Sequence, residues 1–169
     1  MVSVLRILLT PVLVVLILAQ RRETSYLAAG LFALGALTDG VDGYIARRNA
    51  SVTRTGQWLD PLADKLLVCA PCITMAALGT FPLWATVIIV AREVAISILR
   101  AVRGFRGHPM PASKGAKVKT LFQLVAITLY LLPLGSWADP LRLTVLIVAV
   151  ILTVLTGLDY VRAVRRARA

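Results

Sequence analysis

Cysteine and histidine are scarce in this chain of 169 residues, and their scarcity limits its metal and redox chemistry. The two cysteines, Cys69 and Cys72, form one C-A-P-C stretch, and no second pair exists to complete a zinc site. No strand-helix-strand pattern flanks them, so we interpret both as buried apolar thiols and expect no disulfide. The one histidine, His108, lies in a loop rich in glycine and proline and receives no catalytic role.

Acidic residues are also few, eight against 19 lysines and arginines, whereas hydrophobic residues make up 59% of the chain and the mean hydropathy is +0.83. This composition excludes an ordinary soluble domain. It predicts an all-α, polytopic integral membrane protein with a single domain over residues 1–169. A spanning helix needs about 20 mainly apolar residues. Six stretches meet this requirement, near residues 4–20, 25–46, 59–79, 81–100, 119–136 and 141–161.

The formal net charge of +11 is unevenly distributed along the chain. Basic residues gather at both termini and in the connections after the second and fourth predicted helices, whereas the other connections hold only Arg21, Arg22 and Arg142. Because basic segments stay on the cytoplasmic side, we expect both termini to be cytoplasmic. Nucleic acid is not an expected partner, since the charge follows helix ends, where lipid head groups or a phosphorylated substrate would lie.

Four of the six aspartates fall within 26 residues, at the cytoplasmic ends of the second and third predicted helices. Asp39 and Asp42 are spaced i,i+3, and Asp60 and Asp64 are spaced i,i+4, so each pair shares one helix face. Carboxylates at membrane depth are costly without a cation. Hard oxygen ligands without histidine or thiol suit Mg²⁺, with Mn²⁺ or Ca²⁺ as alternatives, and four acids have room for two ions.

Helix capping is the alternative interpretation of these aspartates. It accounts for Asp60, which precedes Pro61 at a predicted helix start. It does not account for Asp39 and Asp42, which lie near a helix C-terminus, where the macrodipole disfavours negative charge. We therefore favour a metal site, with spare coordination positions for a phosphate-bearing ligand.

The residues between the aspartates turn this general site into a specific motif. The sequence runs Asp39, Asp42, Gly43, Ala46 and Arg47, then eight residues, and Gly56, Asp60 and Asp64 follow at fixed intervals. This order resembles the motif D-x2-D-G-x2-A-R-x8-G-x3-D-x3-D of the CDP-alcohol phosphotransferase family at all eight fixed positions. The six-helix pattern extends the resemblance over nearly the whole chain.

The resemblance implies transfer of a substituted phosphate from a CDP-linked donor to an alcohol, with release of CMP. It implies that Asp39, Asp42, Asp60 and Asp64 hold the metal, and that Asp64 also acts as the general base toward the acceptor hydroxyl. The remaining motif residues are expected on the nucleotide side, where Arg47 offers a guanidinium fork to phosphate. They are Gly43, Ala46, Arg47 and Gly56.

The acceptor side is predicted from other basic residues. Arg92 and Glu93 lie halfway along the fourth predicted helix, where an ionisable pair indicates either function or mutual pairing. Lys117 and Lys119 lie at the cytoplasmic end of the fifth predicted helix. The A-R-E string and the surrounding A-K-V-K-T-L-F-Q segment resemble the family branch that joins CDP-diacylglycerol to glycerol 3-phosphate, so Arg92, Lys117 and Lys119 are candidates to bind the acceptor phosphate.

Two groups of alternatives remain at this level. Within the family, the acceptor could be inositol phosphate, phosphatidylglycerol or serine, although serine carries no phosphate and has less need of these basic residues. Outside it, acids and an arginine within membrane spans are also compatible with a metal-ion transporter, which would release no CMP. The resemblance further implies a homodimer in the bacterial plasma membrane, with a polar cavity open to the cytoplasm.

Overall fold

The computed structural model describes residues 2–49, 56–105 and 114–166, so His108 lies outside the described part. Within these ranges, the description of side chains excludes residues 2–4, 38–49, 56–62, 64, 101, 103–105, 114, 116 and 163–166. The described residues form six α-helices and one short 3-10 helix, with no strand among them. The α-helices are α1 (Val2–Leu18), α2 (Arg22–Asn49), α3 (Gly56–Ala77), α4 (Leu83–Phe105), α5 (Lys114–Leu131) and α6 (Asp139–Arg166).

The connection between α3 and α4 is a tight turn built around Gly79. This glycine adopts a φ of +71°, which L side chains rarely adopt. Around it, the amide of Thr80 donates to the carbonyl of Met75 at 2.9 Å, and the amide of Gly79 donates to that of Ala76 at 3.1 Å. Paired bonds of this kind satisfy the last carbonyls of a helix. The glycine therefore ends α3 and reverses the chain into α4.

Arg142 satisfies the last carbonyls at the C-terminus of α5. Its Nε donates to the carbonyl of Leu129 at 2.9 Å, and its Nη2 donates to that of Leu132 at 2.6 Å. Its Nη1 bonds Asp139 at 3.1 Å. The guanidinium also lies over the ring of Tyr130. This arginine is thus a structural cap that ties α6 to the end of α5.

The core lies along the middle of the helices, where α1 packs against α2 and α3, α4 packs against α3 and α6, and α5 packs against α6. Its largest fully buried side chains include Leu13, Phe32, Met75, Ile127 and Leu146. Both cysteines are free thiols; Cys72 is fully buried in this core, as predicted, whereas Cys69 is only partly buried.

The outer surface of the helices is strongly apolar. Large hydrophobic side chains are exposed on all six α-helices, among them Leu8, Leu37, Ile73, Leu83 and Ile151. Among the described residues, one stretch of 27 residues, Ser136–Arg162, is long and apolar enough to cross a membrane, with a mean hydropathy of 2.4. The apolar helical stretches Leu5–Leu18 and Lys65–Ala77 are shorter. The all-α prediction is confirmed, and one spanning helix is supported by length and composition.

Candidate active site

The motif residues lie on two consecutive helices, on either side of the α2–α3 connection. Helix α2 carries Asp39 and Asp42 in its C-terminal half, and α3 carries Asp60 and Asp64 within its first nine residues. Gly56 is the first residue of α3. The side chains of all four aspartates are outside those described, so their metal-binding role stays a prediction. Three predicted donor-side residues also lie on α2, and their side chains are likewise outside those described. They are Gly43, Ala46 and Arg47.

The side chain of Leu67 on α3 contacts α2 at Gly35, close to these two segments in the sequence. A Cβ atom on Gly35 would lie 3.4 Å from Cδ2 of Leu67, so the glycine lets the Leu67 side chain reach the α2 backbone. Asp39 follows Gly35 by about 6 Å along α2, and Asp64 precedes Leu67 by about 4.5 Å along α3. Along each helix, the aspartate therefore lies between this contact and the end of the helix that leads to residues 50–55.

Replacing Gly35 by leucine should separate the two acidic segments, since the new side chain would overlap Leu67. A displacement of about 1 Å at a catalytic site can cost about 100-fold in rate, so we expect turnover to fall by 10- to 100-fold. Gly30→Leu is the matched control, because a Cβ at Gly30 meets nothing within 4 Å. The measurement is the rate of CMP release by folded protein. Equal activity of both variants would show that the Gly35 contact does not position the site.

Three helices meet at a basic cluster formed by Lys65, Arg92, Glu93 and Lys119. Nη1 of Arg92 donates to Oε1 of Glu93 at 3.1 Å, and Nζ of Lys119 donates to the same oxygen. The Lys119 side chain is only 3% exposed, and those of Arg92 and Glu93 are 14% exposed. Lys65 on α3 also acts electrostatically on Glu93 and Lys119. One carboxylate therefore holds two cations from different helices beside the acidic end of α3.

Helix α6 closes this cluster through small and polar residues. Nη2 of Arg92 lies 3.5 Å from Oγ1 of Thr156, at the limit of a hydrogen bond. A Cβ on Gly157 would lie 3.6 Å from Cγ of Arg92, so the glycine brings α6 close to the arginine stem. One turn deeper, Gln123 donates to Thr153 at 2.9 Å, and both side chains are fully buried. A buried hydrogen bond between α5 and α6 therefore lies next to the cluster.

The structure brings together two of the three predicted acceptor residues. Arg92 and Lys119 share Glu93, whereas Lys117 is exposed, because residues two apart on a helix point in different directions. Its acceptor role stays a prediction. Sequence reasoning did not find Lys65 or Thr156 in this group. The position of Lys65 directly after Asp64 was the available signal, and Thr156 had none.

A separate cavity of about 350 Å³ lies at the opposite end of the helices from the acidic motif. Its polar lining includes Gln20, Ser25, Thr80, Tyr130 and Arg142. Since Arg142 already donates to backbone carbonyls, its charge serves helix capping there. The predicted polar cavity between α2 and α3 depends on side chains outside those described and stays a prediction.

Comparison with known proteins agrees with the motif. A family model described as CDP-alcohol phosphatidyltransferase matches residues 1–155. The chain is 38% identical to the "Probable phosphatidylglycerophosphate synthase" of Mycobacterium tuberculosis (strain ATCC 25618 / H37Rv), over 96% of this chain and 79% of that protein. It is 35% identical to the "CDP-diacylglycerol--glycerol-3-phosphate 3-phosphatidyltransferase" of Bacillus subtilis (strain 168), over 94% and 90%. A Rickettsia typhi protein of the same name is 34% identical, over 95% and 93%.

These matches define the class of the protein as a phosphatidyl-transferring enzyme. The chain belongs to the CDP-alcohol phosphatidyltransferase family. The resemblance drawn from the eight motif positions is thereby confirmed.

Proposed function

We propose that the protein transfers the phosphatidyl group of CDP-diacylglycerol to glycerol 3-phosphate, giving phosphatidylglycerol phosphate and CMP. The names of its relatives support these substrates. The observation that carries the choice of acceptor is the basic cluster. Two cations, Arg92 and Lys119, pair with the single carboxylate of Glu93, which leaves these three side chains with a formal excess of one positive charge. A net positive group of this kind suits a phosphorylated acceptor, and serine, which carries no phosphate, would have less need of it.

The chemistry of the four aspartates suits a divalent metal. Carboxylates on two helices that are joined by the contact between Gly35 and the Leu67 side chain supply the hard oxygen donors that Mg²⁺ prefers, and Mn²⁺ is the second candidate. Asp39, Asp42, Asp60 and Asp64 would hold the metal, in our proposal two ions. When bound, the metal would neutralise the donor diphosphate and the departing CMP.

Side chains of the protein supply donor binding, acceptor binding and proton transfer. In our proposal, Arg47 donates to the donor phosphates, while Gly43, Ala46 and Gly56 leave room for the nucleotide close to the backbone. Arg92 and Lys119 hold the acceptor phosphate. Asp64 accepts the proton of the acceptor hydroxyl as that oxygen attacks the phosphatidyl phosphorus. The bond from this phosphorus to the CMP oxygen breaks in line.

We further propose that all six α-helices cross the bacterial plasma membrane, with both termini and the site on the cytoplasmic side. Exposed hydrophobic side chains on every α-helix support the six spans, because a soluble monomer rarely presents so much apolar surface. The basic connections next to α2 and α4 support the orientation. A homodimer belongs to the same proposal and rests on the family resemblance alone.

The test is CMP release by purified protein supplied with CDP-diacylglycerol, Mg²⁺ and one alcohol at a time. We expect glycerol 3-phosphate to give the highest kcat/KM and phosphatidylglycerol phosphate as the lipid product. Inositol phosphate, phosphatidylglycerol and serine complete the panel. Preference for serine would contradict the role of the basic cluster. Metal flux into vesicles without CMP release, from folded protein, would favour a transporter and refute the enzyme assignment.

A further inference from the structure

Helix α1 carries a buried arginine, Arg6, to which the proposed function gives no role. Arg6 is only 5% exposed. Among residues 5–18, the buried positions of α1 are Arg6, Thr10, Leu13 and Ile17, whose helical spacing puts them on one stripe. An arginine that anchored the helix among lipid head groups would extend its charge into water. Arg6 instead lies on the face of α1 that packs against α2 and α3.

The position of Arg6 along α1 can be measured from the cavity at the other end of the helices. The cavity is lined by the C-terminal parts of α1 and α3 and the N-terminal part of α2, with Ile17, Met75 and Ala28 among its residues. Eleven residues away from it along each helix are Arg6 on α1, Asp64 on α3 and Asp39 on α2. The distance is about 16.5 Å in each case. The buried arginine and two motif aspartates are therefore about equally far from the same cavity.

The buried stripe of α3 repeats the spacing of the stripe on α1. Starting from Asp64, the same intervals give Val68, Pro71 and Met75, all of which are buried. Asp64 thus occupies the register position on α3 that Arg6 occupies on α1. Because Cα–Cβ bonds tilt toward the helix N-terminus, level residues on two helices of the same direction lean the same way. This relation favours α3 over α2 as the source of a partner for Arg6.

Electrostatics also favours pairing between these two positions. Arginine stays charged in proteins, and a buried charge without a partner is strongly destabilising. The axes of packed helices lie about 8–10 Å apart, a gap that an arginine and an aspartate side chain span together. A carboxylate has two oxygens with about four acceptor positions, so it can accept from a guanidinium and still contact a metal or a hydroxyl.

We propose that Arg6 forms a buried ion pair with Asp64 and thereby positions this carboxylate in the site. The guanidinium donates to the Asp64 oxygens from the side of α1, as the outer partners of carboxylates in metal sites commonly do. The ion pair is argued from burial and register alone. The positioning role rests on the proposed function, in which Asp64 accepts the proton of the acceptor hydroxyl.

A double-mutant cycle on thermal stability tests the ion pair in protein freed of metal and substrate. The variants are Arg6→Met, Asp64→Asn and their combination. Each single change leaves one buried charge unpaired, so the combined loss of Tm should fall short of the sum by about 4 °C or more. Arg6→Met with Asp159→Asn is the matched control and should be additive, because Asp159 is exposed and contacts Arg162.

Additive losses for Arg6 and Asp64 overturn the ion pair. A second cycle replaces Asp64→Asn by Asp39→Asn. Coupling of Arg6 to Asp39 alone would assign the arginine to α2 and overturn its pairing with Asp64. If Arg6→Met gives no folded protein, Arg6→Gln takes its place in both cycles.

Arg6→Lys tests the positioning role, because lysine keeps the charge but lacks the planar fork of the guanidinium. We expect kcat for CMP release to fall about 10-fold, with the KM of both substrates within about twofold, since the base is displaced and binding is not. Arg21→Lys, at an exposed position, is the matched control and should keep full kcat. An unchanged kcat in Arg6→Lys would overturn the positioning role. The stability cycle needs no CMP release, so failure of the proposed function leaves the ion pair standing.

Discussion

Replacing Asp64 by asparagine is expected to lower kcat for CMP release about 1,000-fold while CDP-diacylglycerol still binds. The amide keeps the size of the side chain but cannot accept the proton of the acceptor hydroxyl, and loss of a general base typically costs 100- to 10,000-fold. Asp64 directly precedes Lys65 on α3, and Lys65 acts electrostatically on Glu93. Steady-state CMP release and equilibrium binding of the donor measure the two properties separately.

The other aspartates should behave differently. Asp39→Asn and Asp42→Asn remove metal ligands, so we expect a higher Mg²⁺ concentration for half-maximal activity and weaker donor binding. Asp159→Asn is the matched control, since this carboxylate is 74% exposed and contacts only Arg162 in the described structure. It should retain full activity. Identical losses and identical metal dependence for Asp39, Asp42 and Asp64 would contradict the division into ligands and base.

The helices were largely predictable, because long apolar stretches separated by polar or turn residues leave little choice of element. The fifth helix shows where this reasoning stops. Its stretch was predicted to end near residue 136, whereas α5 ends at Leu131. Leu132 precedes Pro133, which disfavours helical backbone at that residue, and Arg142 then binds the free carbonyls. The apolar stretch continues beyond Leu131, but the backbone restriction before Pro133 ends the helix there. Hydropathy does not detect such a restriction, so the predicted helix was too long.

The site was predictable in part for a similar reason. The motif aspartates are recognised by their spacing, which is local information along two helices. The basic cluster is not local, since Glu93 and Lys119 are 26 residues apart and meet only through helix packing. Lys117 and Lys119 look equivalent in the sequence, yet one is exposed and the other buried. Burial and pairing between helices depend on how α4, α5 and α6 pack, and that packing cannot be predicted from local sequence patterns.

Replacing Lys119 by methionine is expected to raise the KM for glycerol 3-phosphate by 10- to 100-fold, with the KM for CDP-diacylglycerol within about twofold. The lost interaction is a charge-assisted hydrogen bond to phosphate, worth about 1.5–3 kcal/mol. The substitution also leaves Glu93 without one of its two direct cationic partners, and breaking a buried pair costs about 3–5 kcal/mol of stability. A second variant must therefore distinguish weaker acceptor binding from a loss of stability.

The double variant Lys119→Met with Glu93→Gln makes that separation. It removes the carboxylate together with its partner, so we expect the folded yield and thermal stability to return toward those of the unmodified protein. The acceptor KM should stay high, because no ammonium is restored. Lys119→Arg, which keeps the charge, should retain more acceptor affinity than either, and Arg22→Gln on the exposed end of α2 should change nothing. Recovery of acceptor KM in the double variant would mean that Lys119 serves only to neutralise Glu93.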